Sequence, residues 1–126
     1  MHKWFVYTAF GWLALSGVLH FAIDVVSQHL RGKHPPGVET TALYYGLHSA
    51  YALGQVTVGA LVLVIATRAL PLLTSTSPLA FALLAGLGWL AIACLFMPYW
   101  QPRLNAGVFC VLVVAAWLAR PVQGGG

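Results

Sequence analysis

Four apolar stretches, Trp4–Ser27, Thr41–Ala66, Leu79–Met97 and Leu104–Ala119, follow one another with only short polar breaks between them. The first three match the ~20 residues that an α-helix needs to cross the hydrocarbon core of a bilayer, and the fourth is slightly short. The chain is 60% hydrophobic and 6% charged over 126 residues, with a mean hydropathy of +0.85. A soluble domain of this length has too little interior to hide that much apolar surface, so the solvent is lipid. The expected fold is an all-α integral membrane protein. It is a single four-transmembrane-helix bundle over residues 1–126, with helices at about 4–28, 40–67, 78–97 and 103–119. An even number of spans puts both termini on the same side.

The start Met1-His2-Lys3 is weakly basic, but the apolar run behind it is far longer than the 7–15-residue core of a signal peptide. It reads as a retained transmembrane helix. In the first break, Pro35-Pro36 cannot continue a helix, and Glu39 suits the positive end of the next helix dipole. The second break ends in Thr74-Ser75-Thr76-Ser77-Pro78, which predicts Ser77 as N-cap and Pro78 at the first helical position. Pro98-Tyr99-Trp100-Gln101-Pro102 reads as the tightest turn, its aromatic pair at one membrane interface with Trp4 and Trp117 at the other. His2, His29 and His34 fall at or beyond helix ends and read as solvated. Gly124–Gly126 reads as a flexible tail.

Basic residues give no orientation: Lys3, Arg68 and Arg120 lie at one end, and Arg31, Lys33 and Arg103 at the other. The pI near 9.4 comes from these few cations. It fits anionic lipid headgroups rather than nucleic acid, because no basic patch is clustered. Cys94 and Cys110 sit within apolar stretches without CxxC spacing and read as packing residues, not as a reactive pair. Ala42, Gly46, Ala50 and Gly54 form a ridge of small side chains on the second helix. It predicts a close helix contact within the chain, ahead of a homodimer interface, and makes the second helix central.

Against this apolar background two segments carry polar stripes. Ser16, His20, Asp24 and Ser27 lie on the first helix; Tyr44, His48, Tyr51 and Gln55 lie on the second. Their spacing of three and four residues keeps each set within roughly 60–80° of one helix face. Asp24 is one of only two acidic residues in the chain. Ionisable groups inside a membrane span are costly and mark functional sites by default.

Folding the two helices as a hairpin about His34 brings residues whose numbers sum to about 68 to one depth. His20 then meets His48, Asp24 meets Tyr44, Leu13 meets Gln55, and Gly17 lies beside Tyr51, where it leaves space for the ring. The patch falls about nine residues, roughly 13 Å, from the loop end, near the middle of the hydrocarbon layer. Asp24, one turn from His20, is able to orient the imidazole and support proton transfer. Tyr44, His48, Tyr51 and Gln55 are candidate groups for orienting a carbonyl, hydroxyl or quinone oxygen. An apolar pocket between the two helices, with walls such as Phe21, Leu47 and Trp89, would complete a small-molecule site. The plainer alternative is that these groups bond one another and fasten the bundle.

The stretch Gly17-Val18-Leu19-His20-Phe21-Ala22-Ile23-Asp24 resembles a helix motif of the emopamil-binding, sterol-isomerase-like membrane family. The resemblance implies a compact helical membrane fold in which His20 and Asp24 are polar groups of an intramembrane sterol or amphiphile pocket.

Three classes of function fit these residues. The first is an acid/base enzyme or binding protein for a hydrophobic small molecule such as a sterol, quinone or isoprenoid. It has His20 and Asp24 as proton carriers and Tyr44, His48, Tyr51 and Gln55 as binding groups. The second is a haem b electron carrier with His20 and His48 as axial ligands, Gly17, Gly46 and Ala50 leaving room. The third is a non-catalytic accessory subunit of a larger membrane complex or homo-oligomer. A non-haem metal held by the two histidines and Asp24 is a minor fourth.

Overall fold

The computed structural model describes residues 1–121; the glycine tail 124–126 lies outside the described residues. Four helices form: α1 (His2–Leu30), α2 (Glu39–Ala69), α3 (Thr76–Phe96) and α4 (Trp100–Leu118), with a 3₁₀ turn Leu70–Thr74 extending α2. Each is long and apolar enough to cross a membrane, and the protein is an all-α four-helix membrane bundle. The helix ends depart from expectation by a few residues. Ser75, not Ser77, is the N-cap of α3, so Pro78 sits in the first turn, where its missing N–H has no intrahelical partner to lose. For the same reason α4 already contains Trp100 and Pro102, and the turn before it shrinks to 97–99.

The α1 terminus is closed by a glycine that the sequence reading passed over. Gly32 has φ +61°, its N–H bonds the His29 carbonyl at 3.1 Å, and the Lys33 N–H bonds the Gln28 carbonyl at 3.3 Å. This pair of bonds around a left-handed residue is a Schellman motif. Gly32→Ala is therefore expected to lower stability by about 1 kcal/mol, the cost of a Cβ in that conformation. Gly46→Ala, in helix and with nothing within 4 Å of the added carbon, is expected to be neutral or stabilising. Thermal unfolding in detergent compares the two; equal shifts would contradict the cap.

The central helix is α1, not α2. It packs against α2 on one side and α4 on the other, and α3 packs on α4. Backbones meet where side chains vanish. A Cβ on Gly17 would stand 2.8 Å from the Ala52 carbonyl oxygen, and one on Gly59 would stand 2.8 Å from the backbone of both Phe10 and Ala14. The close contact thus uses Gly17 and Gly59, and Gly17 admits the α2 backbone rather than the Tyr51 ring. On the ridge of small residues, Ala42, Gly46 and Ala50 face outward, and Gly54 alone meets a neighbour, the Trp89 indole at 3.6 Å. Helices α2 and α3 stand apart, bridged by Trp89 and by Tyr51 against Ala93 and Met97.

Two side chains set the register of α1 on α4. The His2 imidazole Nδ1 donates to the Ala116 carbonyl at 2.8 Å, and the Trp12 indole donates to the Asn105 carbonyl at 3.2 Å. His2 is accordingly buried rather than solvated, and the start of α1 lies beside the end of α4. Between these anchors Phe10 and Phe109 pack edge to face at 5.5 Å in the core. Continuing that register, the start of α4 lies opposite residues near Gly17, and the remainder of α1, to Leu30, runs roughly 20 Å farther at ~1.5 Å per residue. The α1–α2 hairpin therefore overhangs the α3–α4 hairpin at its loop end. Of the two cysteines, Cys110 packs against Gly86 whereas Cys94 faces outward.

Candidate intramembrane polar site

The overhang begins where the polar stripes meet. After His20, α1 changes to a π-helical stretch, Phe21–Ser27, whose wider i→i+5 turns carry Asp24. Such segments are rare and recur at functional sites. The predicted pairing of His20 with His48 is present: His20 Nε2 and His48 Nδ1 are 2.9 Å apart. His20 Nδ1 lies 3.1 Å from Asp24 Oδ2. Helix periodicity sets the His20–Asp24 contact, and the short turn between α1 and α2 sets the His20–His48 one. With Asp24 ionised, His20 donates from Nδ1 to the carboxylate, so its Nε2 is the acceptor for the His48 N–H. The result is a linear chain, Asp24–His20–His48, able to hold one extra proton between two imidazoles beside a negative charge.

Aromatic rings enclose that chain. Tyr51 lies against His20 with ring centroids 4.9 Å apart, and Tyr44 against His48 at 4.2 Å. Tyr44 is in turn stacked on His34 at 4.1 Å, so His34 is a packed ring and not a solvated one; His29 alone of the three terminal histidines is exposed. Tyr45 joins the cluster edge-on to Tyr44 and His34. The hydroxyls of Tyr44, Tyr45 and Tyr51 and the Gln55 Oε1 are buried without a hydrogen-bond partner among the described residues. Each such group costs about 1–3 kcal/mol.

A cleft of about 390 Å³ opens beside the chain. It is lined by His20 and Asp24 together with Leu19, Ile23 and Gln28 of α1, and by residues from Tyr99 to Asn105 at the start of α4. This differs from the expected pocket between α1 and α2, because Gly17 and Gly59 close that interface. Phe21 and Leu47 face outward, and Trp89 packs in the core beside Gly54. Tyr44, His48, Tyr51 and Gln55 do not line the cleft. Sequence reasoning missed its far wall, Tyr99, Trp100, Gln101 and Asn105, which read there only as an interfacial turn. Nor is the site deep for the whole bundle: it lies level with the start of α4, where Trp100 and Tyr99 face outward.

No family model, curated protein or solved structure matches this chain. The geometry itself tests the cofactors. A haem would have to stand between the two imidazoles. These are in direct hydrogen-bond contact, the space at Gly17 is taken by α2, and Gly46 and Ala50 face outward. The residues do not fit haem b. A metal ion is closer to the donor set: His20, Asp24 and His48 each offer a ligand atom within 4.8 Å of the others. Yet His20 stands between its two partners with both nitrogens engaged, so capture of an ion has to rupture the existing chain.

Proposed function

We propose that this membrane protein binds a mostly apolar molecule with one polar end, of the sterol, quinone or isoprenoid class, and exchanges a proton with it. The apolar body lies in the cleft against Leu19, Ile23 and Leu104, and the polar end meets Asp24 and His20. Asp24 spends one carboxylate oxygen on His20 and has the other for a hydroxyl of the guest. His48 extends the proton-holding chain away from the cleft, and Tyr44 and Tyr51, packed against the two rings, position the imidazoles. The observation that carries this reading is the Asp24–His20–His48 chain, its histidines buried and its Asp24 end open to an apolar cleft, since an apolar pocket with a few placed polar groups is the usual form of a small-molecule site. A position level with an interfacial aromatic turn suits an amphiphile, whose polar end stays near the headgroups while its body remains in hydrocarbon. The likeness of Gly17–Asp24 to the emopamil-binding family favours a sterol among these classes.

The test is extraction and mass spectrometry of the protein purified in mild detergent. One amphiphile per protein chain is expected, and Leu104→Trp, which fills the cleft from its outer wall, is expected to expel it without unfolding the bundle. Bulk phospholipid alone, unchanged in Leu104→Trp, would favour the accessory-subunit reading. A stoichiometric transition metal lost in His48→Ala would replace proton exchange by metal chemistry.

A further inference from the structure

A second cavity system lies at the opposite end of the bundle, beside the end of α4. Where α2 and α3 stand apart they leave a groove of about 660 Å³, lined by Phe10, Val58, Val62, Leu73, Phe81 and Ala85 among others. Its polar lining residues are Ser75 and Ser77, both at its end near the 3₁₀ turn. There it meets a polar recess of about 570 Å³ formed by Thr74, Ser75, Thr76, Trp117 and Arg120; Ser75 lines both.

Arg120 organises the recess. Its Nε donates to the Trp117 carbonyl at 2.9 Å and its Nη1 donates to the Thr76 hydroxyl at 2.9 Å. The guanidinium also lies over the Trp117 ring, 5.2 Å from the centroid. These contacts hold the fork in place, while Nη2 makes no hydrogen bond among the described residues. The charge has no acidic side chain near it, because both acids of the chain, Asp24 and Glu39, lie at the loop end of α1 and α2. Lys3 and Arg68 add two more cations at the Arg120 end.

From this we infer that the recess and groove together bind an anionic phospholipid: its phosphate on Arg120 and the Thr76 hydroxyl, whose own proton is free while its oxygen accepts from Arg120, and one acyl chain in the α2–α3 groove. A planar, pre-oriented guanidinium is suited to phosphate oxygens, and an indole ring beside it belongs at the headgroup level. Charge complementarity selects the anionic headgroup, and the apolar lining selects a lipid over a free phosphate. The inference stands apart from the polar site, with which it shares no residue.

Native mass spectrometry of the full chain, with phosphatidylglycerol and phosphatidylcholine of identical acyl composition added in equal amount, tests it. One phosphatidylglycerol per chain is expected to survive detergent removal. Its preference over phosphatidylcholine is expected to be about five-fold, the contribution of one basic side chain at a lipid surface. Arg120→Gln is expected to bring that preference to parity, and Lys33→Gln at the other end to leave it intact. Ala85→Trp, which fills the groove without touching Arg120, is expected to remove the bound lipid of either kind. Equal retention of the two lipids by the wild type, an undiminished preference in Arg120→Gln, or an undiminished amount of bound lipid in Ala85→Trp would overturn the inference. Helicity by circular dichroism keeps a folding defect apart from a binding defect.

Discussion

Gly17→Leu is expected to cost about 3 kcal/mol, the upper range for overpacking a closed interface, and to break the polar site with it. The first added carbon already meets the Ala52 carbonyl oxygen at 2.8 Å, Gln55 Cβ at 2.9 Å and Val56 Cγ2 at 2.9 Å. A backbone carbonyl inside a helix cannot rotate away, so α1 and α2 have to separate. His20 lies one turn above Gly17, and its 2.9 Å bond to His48 spans the same interface. Separation by even half an ångström takes that contact beyond good hydrogen-bond geometry. Gly11→Leu is the matched control, because a Cβ there meets nothing within 4 Å. Thermal unfolding in detergent should divide the two variants clearly. If Gly17→Leu melts with Gly11→Leu, the α1–α2 contact is not the seam that holds the bundle.

The second large effect is expected on binding. Asp24→Asn should leave the fold within about 1 kcal/mol of wild type, because an amide oxygen still accepts from His20 Nδ1 and the side chain is 15% exposed at the cleft. Retention of the co-purifying amphiphile should fall roughly ten-fold or more, since hydrogen bonds to a charged group contribute ~1.5–3 kcal/mol. A buried pair kept only as fastening behaves the other way, for loss of one charge strands its partner and lowers stability first. Melting and ligand content measured on the same preparation tell these apart. A variant that melts early yet keeps its ligand would make Asp24 a structural residue.

Much of the site was legible in the residues alone. Polar side chains in an apolar span stand out, and a helical period of 3.6 residues puts His20 and Asp24 on one face whatever surrounds them. A short connection between two helices leaves little freedom in their relative depth, so the sum rule about His34 found the His20–His48 pair. The helix count and the common side of the termini follow from backbone hydrogen bonding, which every span has to satisfy within itself.

What the chain did not announce is which face of each helix meets protein. In lipid, an outward leucine and an inward one are equally at ease, so apolar periodicity carries no direction, and helix packing follows shape instead. Gly17 and Gly59 meet the neighbouring helix while Gly46, in an apparently better ridge, does not, because closeness depends on two backbones at once. The centrality of α1, the overhang of its loop end, and the cleft wall from Tyr99 to Asn105 all come from contacts remote in sequence, such as His2 with Ala116 and Trp12 with Asn105. Local pattern thus determined the four spans and the polar chain; only the packing of α1 between α2 and α4 decided where that chain opens.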